Sequence, residues 1–265
     1  MNFVKYAFIY VNYHCEDSIR CSINSLVTRL KSKYAYEVIV VDNSSTYNYS
    51  TCANEKIIKN VNKGFGAGVN LAVKNTMANT MVISNPDIVL RGVFNIDDFL
   101  PPQYKIHGFK VLPEDYNFIG TLPTLADFPK DIAKLILQCF GAALYEKVRA
   151  SYFSYCKPDD SFGSHNNVEQ IPGCFFLINK KDFVAVGGYD EKFFLYFEDT
   201  DFFRRCFSLG LIVSCFRTQV IFHETKSDAQ KLSGKVRIYY TKSLLRYYFR
   251  LLSGYYRRIQ RISIV

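Results

Sequence analysis

The sequence predicts an α/β domain, an open sheet flanked by helices, that carries a basic amphipathic helical extension at its C-terminus. Three observations predict it. Short, almost wholly apolar runs of the kind buried in parallel sheets, such as residues 36–41, alternate with stretches of helical periodicity. Polar and acidic residues recur where those runs end, which is where open α/β sheets bind ligands. The charge is divided as well: residues 1–228 hold 24 basic and 24 acidic groups, so the net +9 comes from nine Lys and Arg in the last 37 residues.

Taken in order, residues 3–11 read as a strand, 17–30 as an amphipathic helix and 36–41 as a second strand, a βαβ opening. A polar turn at Asp42-Asn43-Ser44-Ser45 leads to a short strand at 56–59, a glycine-rich turn at 64–68 and a helix over 69–77. Residues 80–84 form a further strand, and Pro86 in the following Asn85-Pro86-Asp87 forces the chain out of the sheet. Residues 91–169 carry less signal, with a helix over 129–152, and are read as acceptor-facing insertions. Regularity returns with a strand at 170–178 that contains Gly173 and a helix at 180–186 stopped by Gly187-Gly188. A helix follows over 198–209, then strands at 211–216 and 219–223.

Composition excludes several classes. Eight cysteines without a C-x-x-C pair or a compact spacing argue against zinc sites and a secreted disulfide scaffold, and for a reducing, cytoplasmic compartment. No stretch approaches the roughly 20 apolar residues of a spanning helix. Confinement of the basic excess to one terminal element argues against nucleic acid as partner. In that element Lys242, Arg246 and Arg250 form a stripe among Leu, Tyr and Phe residues, which suits an anionic membrane surface.

Each chemically loaded spot has two readings. Asp42 ends a strand and is either a ligand contact or a turn former. The glycines from Gly64 to Gly68 look like a phosphate-cradling loop at a helix N-terminus. Asp87 is a divalent-cation ligand in type, though one carboxylate is too few alone, and His223 is either a nitrogen ligand or a packed residue. Glu198, Asp199 and Asp201 cluster at a helix start, where capping explains acidic residues without chemistry; the aromatic run Phe193-Phe194-Leu195-Tyr196-Phe197 ahead of them desolvates Asp199 into a general base.

Together these pieces resemble glycosyltransferase family 2, with its GT-A fold, a single Rossmann-like mixed sheet, and its rhamnosyltransferase-like members of bacterial O-antigen and cell-wall assembly. The matching residues are Val40-Val41-Asp42-Asn43-Ser44-Ser45, Asn62-x-Gly64-Phe65-Gly66-x-Gly68-x-Asn70, Asn85-Pro86-Asp87, Gly173-x-Phe175-Phe176-Leu177, Gly187-Gly188-Tyr189-Asp190-Glu191, Tyr196-x-Glu198-Asp199-x-Asp201 and His223. The resemblance implies that Asn12 and Asp42 hold the nucleobase, that Lys63 and Gly64 lie near ribose and phosphates, and that Asn85 and Asp87 stand at the family's DXD motif. It makes Asp87 and His223 ligands of Mg²⁺ or Mn²⁺, Asp199 the catalytic base, and Gly173, Glu198 and Asp201 its support. Asn85 replaces the first aspartate of that motif, which weakens the metal site.

The expected protein is an inverting transferase, since one base and one displacement invert and no separate nucleophile is found. Its catalytic domain spans residues 1–228 and its membrane-association helices 229–265. It moves L-rhamnose from dTDP-L-rhamnose to a polyprenyl-diphosphate-linked saccharide at the inner face of the cell membrane. The alternatives are a UDP-sugar donor (galactose, galactofuranose or N-acetylglucosamine) and an inactive nucleotide-sugar-fold protein that binds membranes.

Overall fold

The computed structural model describes residues 4–47, 52, 54–99, 105–112, 122–140, 165, 166, 168–223 and 234–262. Its strands are β1 (Val4–Asn12), β2 (Leu30–Lys31), β3 (Ala35–Asp42), β4 (Glu55–Lys59), β5 (Thr80–Ser84), β6 (Ile88–Val89), β7 (Phe94–Asn95), β8 (Ile106–Leu112), β9 (His165–Asn166), β10 (Phe175–Asn179) and β11 (Val213–His223). The helices are α1 (Glu16–Arg29), α2 (Phe65–Asn75), α3 (Phe128–Phe140), α4 (Lys180–Ala185), α5 (Glu198–Ser208), α6 (Gly234–Leu252) and α7 (Tyr255–Ile262).

Nine strands make one mixed sheet in the order β4-β3-β1-β5-β10-β8-β11-β6, with β9 also paired to β11, while β2 and β7 pair separately. The first four run parallel, β10 runs antiparallel to both its neighbours, and β11 is again parallel to β8. The carboxyl ends of β1, β3, β5 and β11 and the amino end of β10 therefore share one edge of the sheet. That edge carries the site.

Alternation along the strands divides the core. Ile9, Val11, Ile39, Val41, Ile83 and Phe176 face α2 and α5, where Val69, Ala72, Phe202 and Phe203 meet them. Tyr6, Phe8, Tyr10, Val38, Val40 and Phe175 face the other way, onto Ile19, Ile23 and Leu26 of α1. Both faces are covered, so the central strands are apolar throughout, as parallel strands buried between helices must be.

The expected α/β class and the order of elements to residue 84 match the structure apart from the two-residue strand β2, and four further details differ. Helix α2 begins at Phe65, four residues early, because Gly66 and Gly68 pack inside it. Gly173 precedes β10 instead of lying within a strand. The two strands expected at 211–223 are one, β11, with a register shift between Phe216 and Val220. The segment 91–169, read as insertions, supplies the interior strand β8, whose short run Ile106–Leu112 follows no clear turn signal. Helix α3 is described to Phe140, and the remainder of the helix expected to 152 lies outside the described residues.

The C-terminal extension is helical, as expected, but half of it belongs to the body. Leu244, Tyr247, Tyr248 and Tyr256 are buried with Phe193 in a third apolar cluster. Removing Leu244 alone from water is worth about 2 kcal/mol. The Tyr248 hydroxyl donates to buried Asp131 of α3 at 2.6 Å, and Tyr247 donates to the Pro123 carbonyl at 2.9 Å. No helix among the described residues is long and apolar enough to cross a membrane.

Candidate active site

The first layer lies at the ends of β1 and β3, which are paired Asn12 to Asp42. Asn12 Nδ2 donates to Asp42 Oδ1 at 2.9 Å, and the Asn12 Oδ1 accepts from the Cys15 N–H at 3.2 Å. Asp42 is buried and accepts from the Ser44 N–H and hydroxyl, from the Tyr47 N–H at 3.0 Å and from Lys59 Nζ at 2.8 Å. Burial on its own would raise the Asp42 carboxyl; Lys59, Asn12, Ser44 and Tyr47 overcome it and hold the group far below the usual carboxylate range. With both oxygens engaged, Asp42 shapes the 43–47 turn.

The second layer is the turn before α2. Asn62 Oδ1 accepts from the Gly64 N–H at 3.0 Å, and the Asn60 amide donates to Asn43 Oδ1 at 2.8 Å, whose own amide lies 3.4 Å from the Gly64 carbonyl. Gly64 has φ +103°, and any Cβ there would overlap the Phe194 carbonyl, which also accepts from the Phe65 N–H. Lys63 beside it is exposed. The cradle reading needs correcting for the other glycines. A Cβ on Gly66 would lie 2.8 Å from Tyr189 Cβ, and one on Gly68 2.9 Å from Val11, so both serve helix packing. The asparagine relay at 43, 60 and 62 was not among the expected site residues, although Asn43 and Asn62 lay within motifs that carried the resemblance.

Asn70 of α2 joins this layer to the next. Its amide donates to the Tyr189 carbonyl at 2.8 Å and accepts from the Tyr189 N–H at 3.0 Å, across 119 residues of sequence. Tyr189, Glu198 and Asp199 then form the floor. Asp199 Oδ1 accepts from the Thr200 N–H at 2.7 Å and from its hydroxyl at 3.3 Å, whereas Oδ2 faces Gly173 and accepts nothing among the described residues. Burial raises the carboxyls of both Glu198 and Asp199, and the Asp199 charge pushes Glu198 further. Glu198 Oε2 and the Tyr189 hydroxyl are buried without a hydrogen-bond partner among the described residues. Tyr196 and Phe197, immediately before the pair, sit at φ +63° and +62°, a left-handed geometry costing on the order of 1–3 kcal/mol each for such residues.

The Asn85-Pro86-Asp87 turn is tied to the same floor through the Asn85 N–H, which donates to the Cys174 carbonyl at 2.7 Å. The Cys174 thiol is pushed up to about 12, first by burial, then by the charge of Asp87 and next by that of Asp199. The two aspartates thus bear on one buried thiol. His223 is paired in the sheet with Ile88, one residue beyond Asp87, and its side chain lies outside the described residues. Among the described residues no group of three or more His, Cys, Asp or Glu side chains is arranged to hold a metal. One carboxylate does suit a cation whose remaining ligands come from phosphates and water.

Asp201 departs from expectation. Instead of capping α5 or facing the site, it is buried and accepts from Arg205 Nε at 2.8 Å, Arg250 Nη1 at 2.6 Å and the Tyr256 hydroxyl at 2.7 Å. The Arg250 guanidinium therefore turns onto the body of the domain, away from the exposed Lys242 and Arg246. Its second nitrogen pairs with Asp190.

This mixed sheet with helices on both faces has the fold of GT-A-like glycosyltransferases. The crystal structure of GalNAc-T7 with UDP, GalNAc and Mn2+ superposes with a TM-score of 0.62 at 11% identity, covering 95% of this chain and 48% of that one. The structure of S. aureus TarS 1–349 in complex with UDP gives 0.54 at 14% identity over 85% of this chain and 62% of that one. A family model described as the N-terminal domain of galactosyltransferase matches residues 157–227. Rhamnosyltransferase WbbL of Escherichia coli (strain K12) is 32% identical over 110 residues, 41% of either chain. The matches thus span 41% of the rhamnosyltransferase and 48% of GalNAc-T7.

Proposed function

We propose that this chain is an inverting glycosyltransferase acting on a nucleotide-activated sugar. The observation that carries the reading is the pair of buried Glu198 and half-buried Asp199, with Oδ2 of Asp199 beside Gly173 on the sheet edge where Asn12, Gly64 and Asp87 also lie. Thr200 fixes Oδ1, which leaves Oδ2 to take the proton of an acceptor hydroxyl. The acceptor oxygen bonds to the anomeric carbon from the face opposite the nucleotide, and the departing diphosphate leaves with the electron pair. Gly64 and the asparagine relay hold the phosphate side, and Lys63 supplies a cation there. A Mg²⁺ or Mn²⁺ held by Asp87 and His223 would neutralise charge on the diphosphate.

The donor of choice is dTDP-L-rhamnose, supported by the likeness to the E. coli rhamnosyltransferase. A UDP-sugar is the second reading, favoured by the UDP-bound structures among the fold relatives. The acceptor is a polyprenyl-diphosphate-linked saccharide, reached from the inner face of an anionic membrane. Support for that attachment is the outer face of α6, where Ile238, Leu245, Phe249 and Leu252 are 54%, 49%, 70% and 71% exposed among exposed Lys235, Lys242 and Arg246. A panel of dTDP- and UDP-sugars with a synthetic polyprenyl-diphosphate sugar tests the whole reading, with product configuration read by NMR. Retention of configuration, or transfer from none of the donors, would overturn it.

A further inference from the structure

Deepening the transferase reading, on which it rests, we propose that Arg250 is a positioning residue of the active site and that α6 and α7 are a structural part of that site. Arg250 is remote from the reacting groups in sequence and makes no contact with Asp199. What it does is close a largely buried ring of charge, with Arg250 and Asp190 at its partly exposed side. Its guanidinium spans Asp201 of α5 and Asp190 of the 187–190 turn, while Asp201 also binds Arg205 on its own helix. Two cations meet two anions, and the Tyr256 hydroxyl of α7 completes Asp201. The guanidinium also lies over the rings of Phe193 and Tyr255, with centroids at 5.1 and 4.6 Å. Planar, bidentate and stacked at once, this is a role that lysine cannot reproduce.

The ring brackets the segment that carries the chemistry. Between Asp190 and Asp201 lie Phe193 to Asp199, and α6 grips this stretch at each step. Phe194 stacks on Tyr239 with centroids 4.1 Å apart, Ser243 donates to the Leu195 carbonyl at 2.9 Å, and Phe197 meets Tyr240 and Tyr247. At its near end the same segment touches the donor side, where the Phe194 carbonyl accepts from Phe65 against Gly64. At its far end Tyr196 and Phe197 hold left-handed backbone just ahead of Glu198 and Asp199. Strained geometry of that kind persists only where surrounding contacts over-determine it. Here those contacts come from α6, and Arg250 is the bolt that keeps α6 in register with α5.

The test uses the full chain with Arg250→Lys, Arg250→Gln and Ser243→Ala, the last removing only one hydroxyl. Hydrogen exchange of residues 193–201 reports positioning without reference to activity; calorimetry with UDP and dTDP reports nucleotide binding; turnover of the sugar donor reports kcat and KM separately. The expected result for Arg250→Lys is faster exchange over 193–201 and kcat lowered by about tenfold or more with KM and nucleotide affinity nearly unchanged, as for an interaction expressed only in the transition state. Arg250→Gln should be worse, and Ser243→Ala intermediate between lysine and wild type. Unchanged exchange in Arg250→Lys, or faster exchange with unchanged kcat, overturns the proposal. If Arg250→Gln fails to fold, the lysine and Ser243 variants decide. Absence of turnover by the wild type would sink the transferase reading instead, and exchange would still judge the role of Arg250.

Discussion

Gly173 and Asp199 are complementary: a Cβ placed on Gly173 would lie 2.5 Å from Asp199 Oδ2 and 2.7 Å from its Cβ. The glycine is required by what faces it, since its own backbone is not left-handed. Gly173→Ala should therefore push Asp199 away while costing only about 1–3 kcal/mol of stability, the usual scale for one added methyl in a packed site. We expect kcat to fall by about 100-fold with nucleotide affinity nearly unchanged. Alanine at wild-type turnover would mean that Asp199 Oδ2 is not the proton acceptor.

The neighbouring carboxylates are separable by pH. Asp199→Asn should lower kcat by at least about 100-fold and leave UDP or dTDP binding intact. Because burial raises the Asp199 carboxyl, the wild-type kcat/KM should fall as pH drops through a value above the ordinary carboxylate range, not at about 4. An acid limb at the ordinary value would remove Asp199 as base.

Glu198 bears on stability. Its folded carboxyl is raised, so the folded state binds a proton that the unfolded state has already released; stability is full below the unfolded value and is lost as pH rises through the folded one. Glu198→Gln should thus be more thermostable than wild type at pH 8–9, with the gain vanishing near pH 4. Thermal melts across that range measure it. Equal shifts at all pH values would show that Glu198 does not titrate abnormally.

Asp42 has the opposite sign. Its folded carboxyl is depressed, so its stabilisation is present above the unfolded value and disappears as acid titrates it. Asp42→Asn leaves Lys59 without its buried partner and should cost about 2–4 kcal/mol at pH 7, less as pH approaches 3. Nucleotide binding should weaken with it, because the 43–47 turn loses its anchor. A melt superimposable on that of the wild type at pH 7 would contradict the assignment.

For the membrane, Lys242, Arg246, Arg257 and Arg258 are exposed and are replaced by Gln, while Arg250 is left in place because it pairs with Asp190 and Asp201. At about 1 kcal/mol per cation near an anionic surface, the variant should lose sedimentation with phosphatidylserine vesicles at moderate salt, and wild-type binding should itself weaken as salt rises. Phe249→Ser with Leu252→Ser should weaken binding without changing its salt dependence. Undiminished sedimentation of the charge variant would rule out the electrostatic anchor.

Much of this was legible along the chain. Runs such as 36–41, apolar but for Glu37, were sheet strands because a strand covered on both faces needs consecutive apolar residues, and their ends located Asn12, Asp42 and Asp87. The Glu198-Asp199 pair stood out because two adjacent carboxylates behind an aromatic run are costly unless used. Strand β8 was not legible: its place between β10 and β11 depends on pairing partners some 70 to 110 residues away. Periodicity likewise marked α6 as amphipathic but gave both faces a claim to the solvent, since Tyr, Leu and Arg occur all round it. Only tertiary packing settled that Tyr247, Tyr248 and Arg250 face inward while Lys242, Phe249 and Leu252 face out, because only there does Arg250 find Asp201 and Asp190 to neutralise it. Sequence determined which residues bear charge and which repel water; the structure decided which charges meet, since partners distant along the chain become neighbours only when the sheet edge and the C-terminal helices close together.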